Sequence, residues 1–364
     1  MNAIKLNIAF VLTGVATTIL GSMTPLLEAR WRIGDAEAGL LFTAQFFTSV
    51  WGAAAVGPLA RRFGYGSVVV AGMAFTAVGM AGCALATWPL GVLSVACYGL
   101  GLGFALPAGN LALARGEAGG ASAVVWLNWS WCVGAVAAPA LTAWYGIEAW
   151  WIGAAGLSIC ALLIAMDATT PRPRPTVLPP RDRRQTSQAA IMAGLFLFVY
   201  VATEQTVSGW VASLALRDRA TAQFWAAAPS IFWAGVLAGR AVTPTLLKKR
   251  LPPSVVFAGL IFAGAGAITL ILAQTPALEL TAGALCGIGL APIYPLAVAQ
   301  YAARPDNTQG PSGIVFAAGS LGGAVGPLAT GYLSQTSGSL RTGLAITLPA
   351  IAAMAWLQGR VSKR

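Results

Sequence analysis

Twelve stretches of the sequence run for about twenty residues with hardly a charge among them: 6–27, 38–60, 67–87, 90–113, 120–143, 147–166, 189–212, 221–243, 254–273, 277–300, 310–333 and 339–358. The hydrocarbon core of a bilayer is roughly 30 Å thick and an α-helix rises about 1.5 Å per residue, so each run is long enough to cross it as a helix. A soluble fold is excluded by the same count. Charged residues make up 9% of the chain and hydrophobic ones 57%, whereas soluble domains carry about 25% charged residues. The chain reads as an all-α membrane protein with twelve transmembrane helices.

Most connections between the runs are short. The exception is 167–188, "DATTPRPRPTVLPPRDRRQTSQ", where repeated proline forbids helix and favours an extended, solvated linker. Six spans precede it and six follow. The expected domains are therefore a six-helix bundle over 1–166, a cytoplasmic linker over 167–188, and a second six-helix bundle over 189–364. With the N-terminus inside, 17 of the 22 basic residues fall in cytoplasmic segments, leaving Arg30, Arg32, Arg217, Arg219 and Arg341 outside. The positive-inside rule then predicts a multi-pass protein of the cytoplasmic (inner) membrane with both termini cytoplasmic. The net charge of +11 is read as this topology signal, with no nucleic-acid partner. The first run exceeds the length of a signal-peptide core and lacks a clear cleavage site, so it is kept as a helix.

Enzyme chemistry finds little to use. Histidine is absent, and the five cysteines (Cys83, Cys97, Cys132, Cys160 and Cys286) lie inside predicted spans without CxxC spacing. That pattern supports neither a disulfide framework nor a metal site, and the thiols read as small apolar fillers. No cofactor is expected.

The two halves carry weak internal likeness. "VGAVAAP" (133–139) returns as "LGGAVGP" (321–327) and "GLGFALP" (101–107) as "GLAPIYP" (289–295), both at an offset of 188; Trp51 and Gly57 match Trp233 and Gly239 at an offset of 182. Repeated bundles of this kind build one class of secondary transporters, with the substrate site between the repeats near the midplane.

Twelve spans arranged as six plus six around a basic central loop resemble the major facilitator superfamily. Within it, "GLLFTAQFFTSVWGAAAVGPLARRFGYG" (39–66), "GLGFALPAGN" (101–110) and "FVYVATEQTVSGW" (198–210) look most like the fucose/glucose type of sugar symporters. Of the superfamily's signature after span 2, Gly57, Arg62 and Gly64 match, while Arg61 stands in place of the acid and Tyr65 in place of the final arginine. The acids that fucose-type proton symporters resemble one another in having within spans 1 and 4 have no counterpart at depth. The resemblance implies transport of a sugar-like solute coupled to protons. Gln45, Asn110 and Gln300 are similar in place to residues of that family.

The residues themselves single out two places. In "WLNWSWCVG" (126–134), Asn128 lies about 12 Å into the hydrocarbon, where an amide facing lipid would go unpartnered. Asn128 and Trp131 are therefore placed on an inward face, and Trp126, Trp129 and Ser130 on another. An indole beside an amide suits a sugar ring and many other amphipathic solutes; a structural bond to another helix satisfies Asn128 equally well. Glu204 is the other signal. It is the one acid placed inside a span, next to Gln205 and one turn from Tyr200, and an intramembrane carboxylate marks an ion or substrate path by default. "APIYP" (291–295) brackets Tyr294 with prolines and predicts a bend there, with Pro139 and Pro327 as further bends. The stripe Thr13, Thr17, Gly21 and Thr24 reads as packing, because threonines bond back to their own helix.

The candidate solute site is thus Gln45, Asn110, Asn128, Trp131, Tyr200, Gln205 and Tyr294, with Glu204 as the proton-coupling residue. The reading is a monomeric secondary active transporter of a small polar solute, working by alternating access and coupled to H+, with Na+ the alternative ion. Efflux of amphipathic compounds is the second reading, supported by the deep aromatics and the missing acids of spans 1 and 4. A receptor or scaffold is disfavoured because no sizeable soluble domain is present. Reporter fusions within 167–188 and at the C-terminus should read cytoplasmic, and those near Asp218 or Glu279 periplasmic; a periplasmic reading at the linker overturns the arrangement.

Overall fold

A computed structural model describes residues 3–114, 121–166, 188–218, 220–302 and 313–361. The predicted linker therefore lies, but for Gln188, outside the described residues. Helix dominates: α1 (Ala3–Trp31), α2 (Asp35–Phe63), α3 (Tyr65–Leu85), α4 (Trp88–Ala114), α5 (Ala121–Tyr145), α6 (Ala149–Ala165), α7 (Gln188–Arg217), α8 (Ala222–Leu247), α9 (Pro252–Leu272), α10 (Pro276–Leu290), α11 (Ile293–Ala302), α12 (Gly313–Ser337), α13 (Leu340–Leu344) and α14 (Thr347–Val361). Ten stretches of described residues are long and apolar enough to cross a membrane. One of them, Trp126–Ala165, holds α5 and α6 on either side of a single 3-10 turn at Gly146–Glu148. Dividing it, and adding the 25-residue α12, yields the twelve spans read from the sequence. α10 with α11, and α13 with α14, each form one interrupted span.

The interruptions fall where the sequence cannot continue a helix. Pro292 and Pro295 lack the N–H groups that would bond back to Ile288 and Ala291, and the helix breaks between Leu290 and Ile293. Pro139 and Pro327, by contrast, sit inside continuous helices. The carbonyl that Pro139 leaves without a donor, that of Ala135, accepts from the Thr18 hydroxyl at 3.3 Å, a repair available in hydrocarbon only from a side chain or a buried water. The connection from α2 to α3 is one residue, Gly64, at φ 86°. An L side chain resists that backbone conformation.

The chain divides into two compact units. The first takes the described residues within Met1–Leu26 and Ala44–Arg181, the second those within Leu27–Thr43 and Asp182–Arg364. In the first, α3 packs on α4 and α6, and Tyr98 of α4 stacks obliquely on Trp150 of α6 with centroids 6.0 Å apart, both fully buried. The aromatic-belt pattern would put Trp150 and Trp225 at the lipid boundary; both are buried, whereas Trp126, Trp144 and Trp356 are exposed.

Lipid tails are as apolar as leucine, so helices in a membrane associate mainly through close packing and polar bonds. Here the close packing is glycine against carbonyl. A Cβ built on Gly134 of α5 would run into the Val11 oxygen of α1, and one on Gly322 of α12 would run into the Phe198 oxygen of α7. The same contact is thus made in each unit. Gly134 and Gly322 are 188 apart, as the sequence repeat has them, while their partners Val11 and Phe198 are 187 apart (198 − 11). Gly99 of α4 against the Gln45 oxygen of α2 is matched by Gly287 of α10 against the Phe232 oxygen of α8. The offset of α2 to α8 is therefore also 187 (232 − 45). Gly239, whose neighbours are Ile288 and Ala291, corresponds to Gly52, whose neighbours are Leu100 and Gly103. The match of Trp51 and Gly57 to Trp233 and Gly239 is five residues out of register, a slip that glycine-rich helices readily allow. Nothing approaches a Gly57 Cβ closer than the Arg61 guanidinium at 3.8 Å.

In the second unit, the α1–α2 turn packs on α7 and α12. The Asp35 carboxylate accepts from both terminal nitrogens of Arg217, at 3.0 and 2.5 Å, and from the Ser334 hydroxyl. Glu28 lies 3.9 Å from the same guanidinium. A bidentate arginine–carboxylate pair of this kind fixes geometry as well as charge. Below it, Thr43 donates to the Ala324 carbonyl at 2.7 Å and the Trp210 indole to that of Pro327 at 3.1 Å. Replacing Gly322 by alanine should lower the thermal midpoint of the purified protein, by an overpacking cost of about 1–3 kcal/mol, whereas Gly57→Ala should leave it unchanged.

Candidate functional site

Each unit places a polar cluster at the same point of its repeat. In the second unit the cluster is ionisable. Tyr200 and Glu204 are one turn apart on α7 and so share a face; the Tyr200 hydroxyl donates to Glu204 Oε1 at 2.6 Å, and both residues are buried. The Gln205 side chain, also buried, is within hydrogen-bonding reach of the same carboxyl. Tyr294 arrives from the first turn of α11, directly after the proline break, with its ring 5.6 Å from that of Tyr200. The break thus positions Tyr294. α8 contributes Arg240, whose guanidinium interacts electrostatically with the Glu204 carboxyl and with the Tyr200 and Tyr294 hydroxyls.

Arg240 is the residue that the sequence reading misses. Its place near a span end assigns it to the basic cytoplasmic segments, although the predicted span 221–243 contains it, and it lies seven residues before the end of α8 at Leu247. A lone arginine in an apolar run is the available signal. A carboxyl with a cation and two phenols around it can hold and release a proton, or hold a small cation. Removing one member of such a buried pair leaves the other uncompensated, at a cost of about 3–5 kcal/mol.

In the first unit the cluster is neutral. Gln45 of α2 is buried and both ends of its amide are used: Nε2 donates to the Thr17 carbonyl at 3.0 Å and Oε1 accepts from the Tyr98 hydroxyl at 3.0 Å. Trp131 of α5 donates to the Thr17 hydroxyl at 3.4 Å, and Thr17 donates to the Thr13 carbonyl at 2.7 Å. Thr13 and Thr24 likewise bond back to their own helix. At the α1-to-α7 offset of 187, Thr13 and Thr17 correspond to Tyr200 and Glu204. The same two positions are a threonine pair in one unit and a tyrosine–glutamate pair in the other.

Asn110 and Asn128 form a separate pair. Asn128 Nδ2 donates to Asn110 Oδ1 at 3.0 Å and to the Val124 carbonyl at 2.8 Å, and Asn110 Nδ2 donates to the Leu106 carbonyl at 3.0 Å. Asn128 is exposed on the unit's surface, Trp131 and Trp129 are half-buried, and Ser130 reaches Asn7 of α1 at 2.7 Å. Gln300 accepts from Gln358 of α14 at 3.1 Å, apart from all of these. The structure therefore joins Gln45 to Trp131 and Tyr200 to Glu204, Gln205 and Tyr294, and leaves Asn110 and Asn128 as a pair of their own. Among the described residues no cluster of acids, cysteines or histidines could hold a metal ion.

The family model described as Major Facilitator Superfamily matches residues 6–327. The chain belongs to the major facilitator superfamily. No curated protein sequence matches it. Solved structures share its fold at low identity. A bacterial homologue of the human lysosomal transporter Spinster, inward-facing and occupied, superposes with a TM-score of 0.79 at 14% identity, covering 99% of this chain and 96% of its own. The nucleoside transporter NupG gives 0.79 at 13%, covering both chains fully. The E. coli fucose:proton symporter FucP, as a single-residue variant, gives 0.65 at 19%, covering 99% of this chain and 98% of its own. As a member of this superfamily it is a multi-pass membrane transporter and not an enzyme. Tyr200→Phe takes away the hydroxyl that Glu204 accepts from; purified in detergent, that variant should be less stable by about 1–3 kcal/mol, read as a lower thermal midpoint than that of the wild type.

Proposed function

We propose that this transporter moves a small polar solute, sugar-like in character, across the cytoplasmic membrane in step with protons, and that Glu204 carries the coupling proton. The observation that supports this most is the buried Glu204 carboxyl, bonded by Tyr200 at 2.6 Å and faced by Arg240. Intramembrane acids of this kind mark ion paths. A proton leaving Glu204 exposes a carboxylate to Arg240, and a proton arriving releases that attraction. One protonation event thus changes how strongly α7 is held to α8. Alternating access would make use of that change.

Solute contacts fall to Asn110, Asn128, Trp131, Gln205 and Tyr294. Gln45 contributes chiefly by holding α2 to α1 and α4, since it is buried with its amide nitrogen bonded to Thr17 and its amide oxygen to Tyr98. A solute rich in hydroxyls suits amides and indoles placed together. Both termini and the central linker are assigned to the cytoplasm on the distribution of basic residues.

The decisive experiment is uptake in proteoliposomes, after a thermal-shift screen of sugars and nucleosides has supplied a solute that raises the protein's apparent stability. Glu204→Gln should abolish accumulation driven by a pH gradient while counterflow exchange of the same solute persists, because a neutral amide mimics the protonated acid. Gradient-driven accumulation at the wild-type level in the folded variant overturns the coupling role. A sodium gradient run in parallel tests the alternative ion, and the direction of net flux separates import from efflux.

A further inference from the structure

Glu204 is not the only buried acid. The sequence places Glu279 at a span end, but in α10 it is fully buried, with no exposed side-chain surface. Its Oε1 accepts from Arg341 Nη2 at 3.1 Å, and its Oε2 is buried with no hydrogen-bond donor. Arg341 Nη2 also serves Asp218, at the end of α7, and the Asp218 and Glu279 carboxyls are within hydrogen-bonding reach of each other. The other terminal nitrogen of that guanidinium is spent on the last turn of α9: Nη1 bonds the Leu270 carbonyl at 2.9 Å and lies 3.5 Å from that of Ile271.

The charges here do not balance. One guanidinium faces two carboxyls and the negative end of a helix. Among the described residues, no other cation from the packed elements makes up the difference. α9 and α11 carry no charged residue, the arginine of α8 is with Glu204, and Arg217 of α7 is held by Asp35 and Glu28. The hydrogen bonds do not balance either, because two carboxylates meeting each other offer acceptors and no donor. A single proton corrects both. It turns one carboxyl into the donor that the other lacks, and it brings two acids and one arginine to neutrality.

We propose that Asp218 and Glu279 hold one proton between them, forming a second proton-binding site in the C-terminal unit, separate from Glu204. In the bound state the O–H of one carboxyl bonds the oxygen of the other while Arg341 bonds both, clamping the ends of α7, α9, α10 and α13 together. Release leaves a net negative charge in a buried setting and loosens the clamp.

Infrared spectroscopy of the purified protein reads this directly, since a protonated carboxyl has a carbonyl stretch distinct from the bands of a carboxylate and shifted by deuteration. The measurement is made on Glu204→Gln, so that the first site is silent. That protein should show a protonated-carboxyl band which loses the intensity of one group on adding Glu279→Gln. Adding Asp218→Asn instead should remove the same intensity, because the asparagine amide supplies the missing donor without a proton. Asp218 is partly exposed, so this second variant remains informative where Glu279→Gln fails to elute as folded protein in size exclusion. Absence of any such band, or a band untouched by a folded variant at either position, overturns the proposal.

Discussion

Hydrocarbon offers a backbone amide no partner, and from that constraint most of this structure follows. Every N–H and C=O must be satisfied within the chain, so each crossing is helical. Where proline removes a donor, the freed carbonyl has to be answered locally, as Thr18 answers that of Ala135. With no water to expel, apolar side chains gain little by meeting one another, so helices are held by backbone contact instead. Gly134 on the Val11 carbonyl and Gly322 on that of Phe198 are the two instances that define the repeat. Polar side chains then have few places to go, and they gather where helices cross.

The two repeats use those places differently. In the N-terminal unit the polar network is made of amides, hydroxyls and an indole: Gln45, Thr17, Tyr98 and Trp131. In the C-terminal unit it is made of charges, grouped around three arginines. Arg217 meets Asp35 and Glu28, Arg240 meets Glu204, and Arg341 meets Asp218 and Glu279. A neutral network holds its bonds over a wide range of conditions. A charged one responds to protons. A common scaffold thus carries a constant half and a titratable half.

The spans, the six-plus-six order and the membership of a transporter superfamily could be read from the sequence because each rests on a property that is averaged over many residues. Hydropathy over twenty positions survives any single exception. Glu204 was legible for the opposite reason, as one charge against a uniformly apolar background. What escaped depends on position at the scale of a single turn. Arg240 goes to the loop because a basic residue near a span's end is ordinarily a topology signal, and Glu279 because an acid one turn into a helix is ordinarily hydrated. Neither assumption accounts for what packs over that turn. Trp150 and Trp225 lie buried near helix ends for the same reason, because a helix end is not always a lipid boundary. The register of α2 against α8 is lost since glycine-rich helices offer several alignments of similar quality, and only the carbonyl facing each glycine decides among them.

The Asp35 cluster has a consequence for how sequences of this kind can change. Its carboxylate answers Arg217 twice and Ser334 once, joining parts of the chain that are 182 and 299 positions apart. Losing the acid alone would strand a guanidinium, and losing the arginine alone would strand two acids, so single substitutions at either place are disfavoured. Change there is expected in concert, acid and arginine lost together or exchanged together. Related transporters should carry that covariation between the turn after the first helix and the end of the seventh, even where nothing else in the two segments is alike.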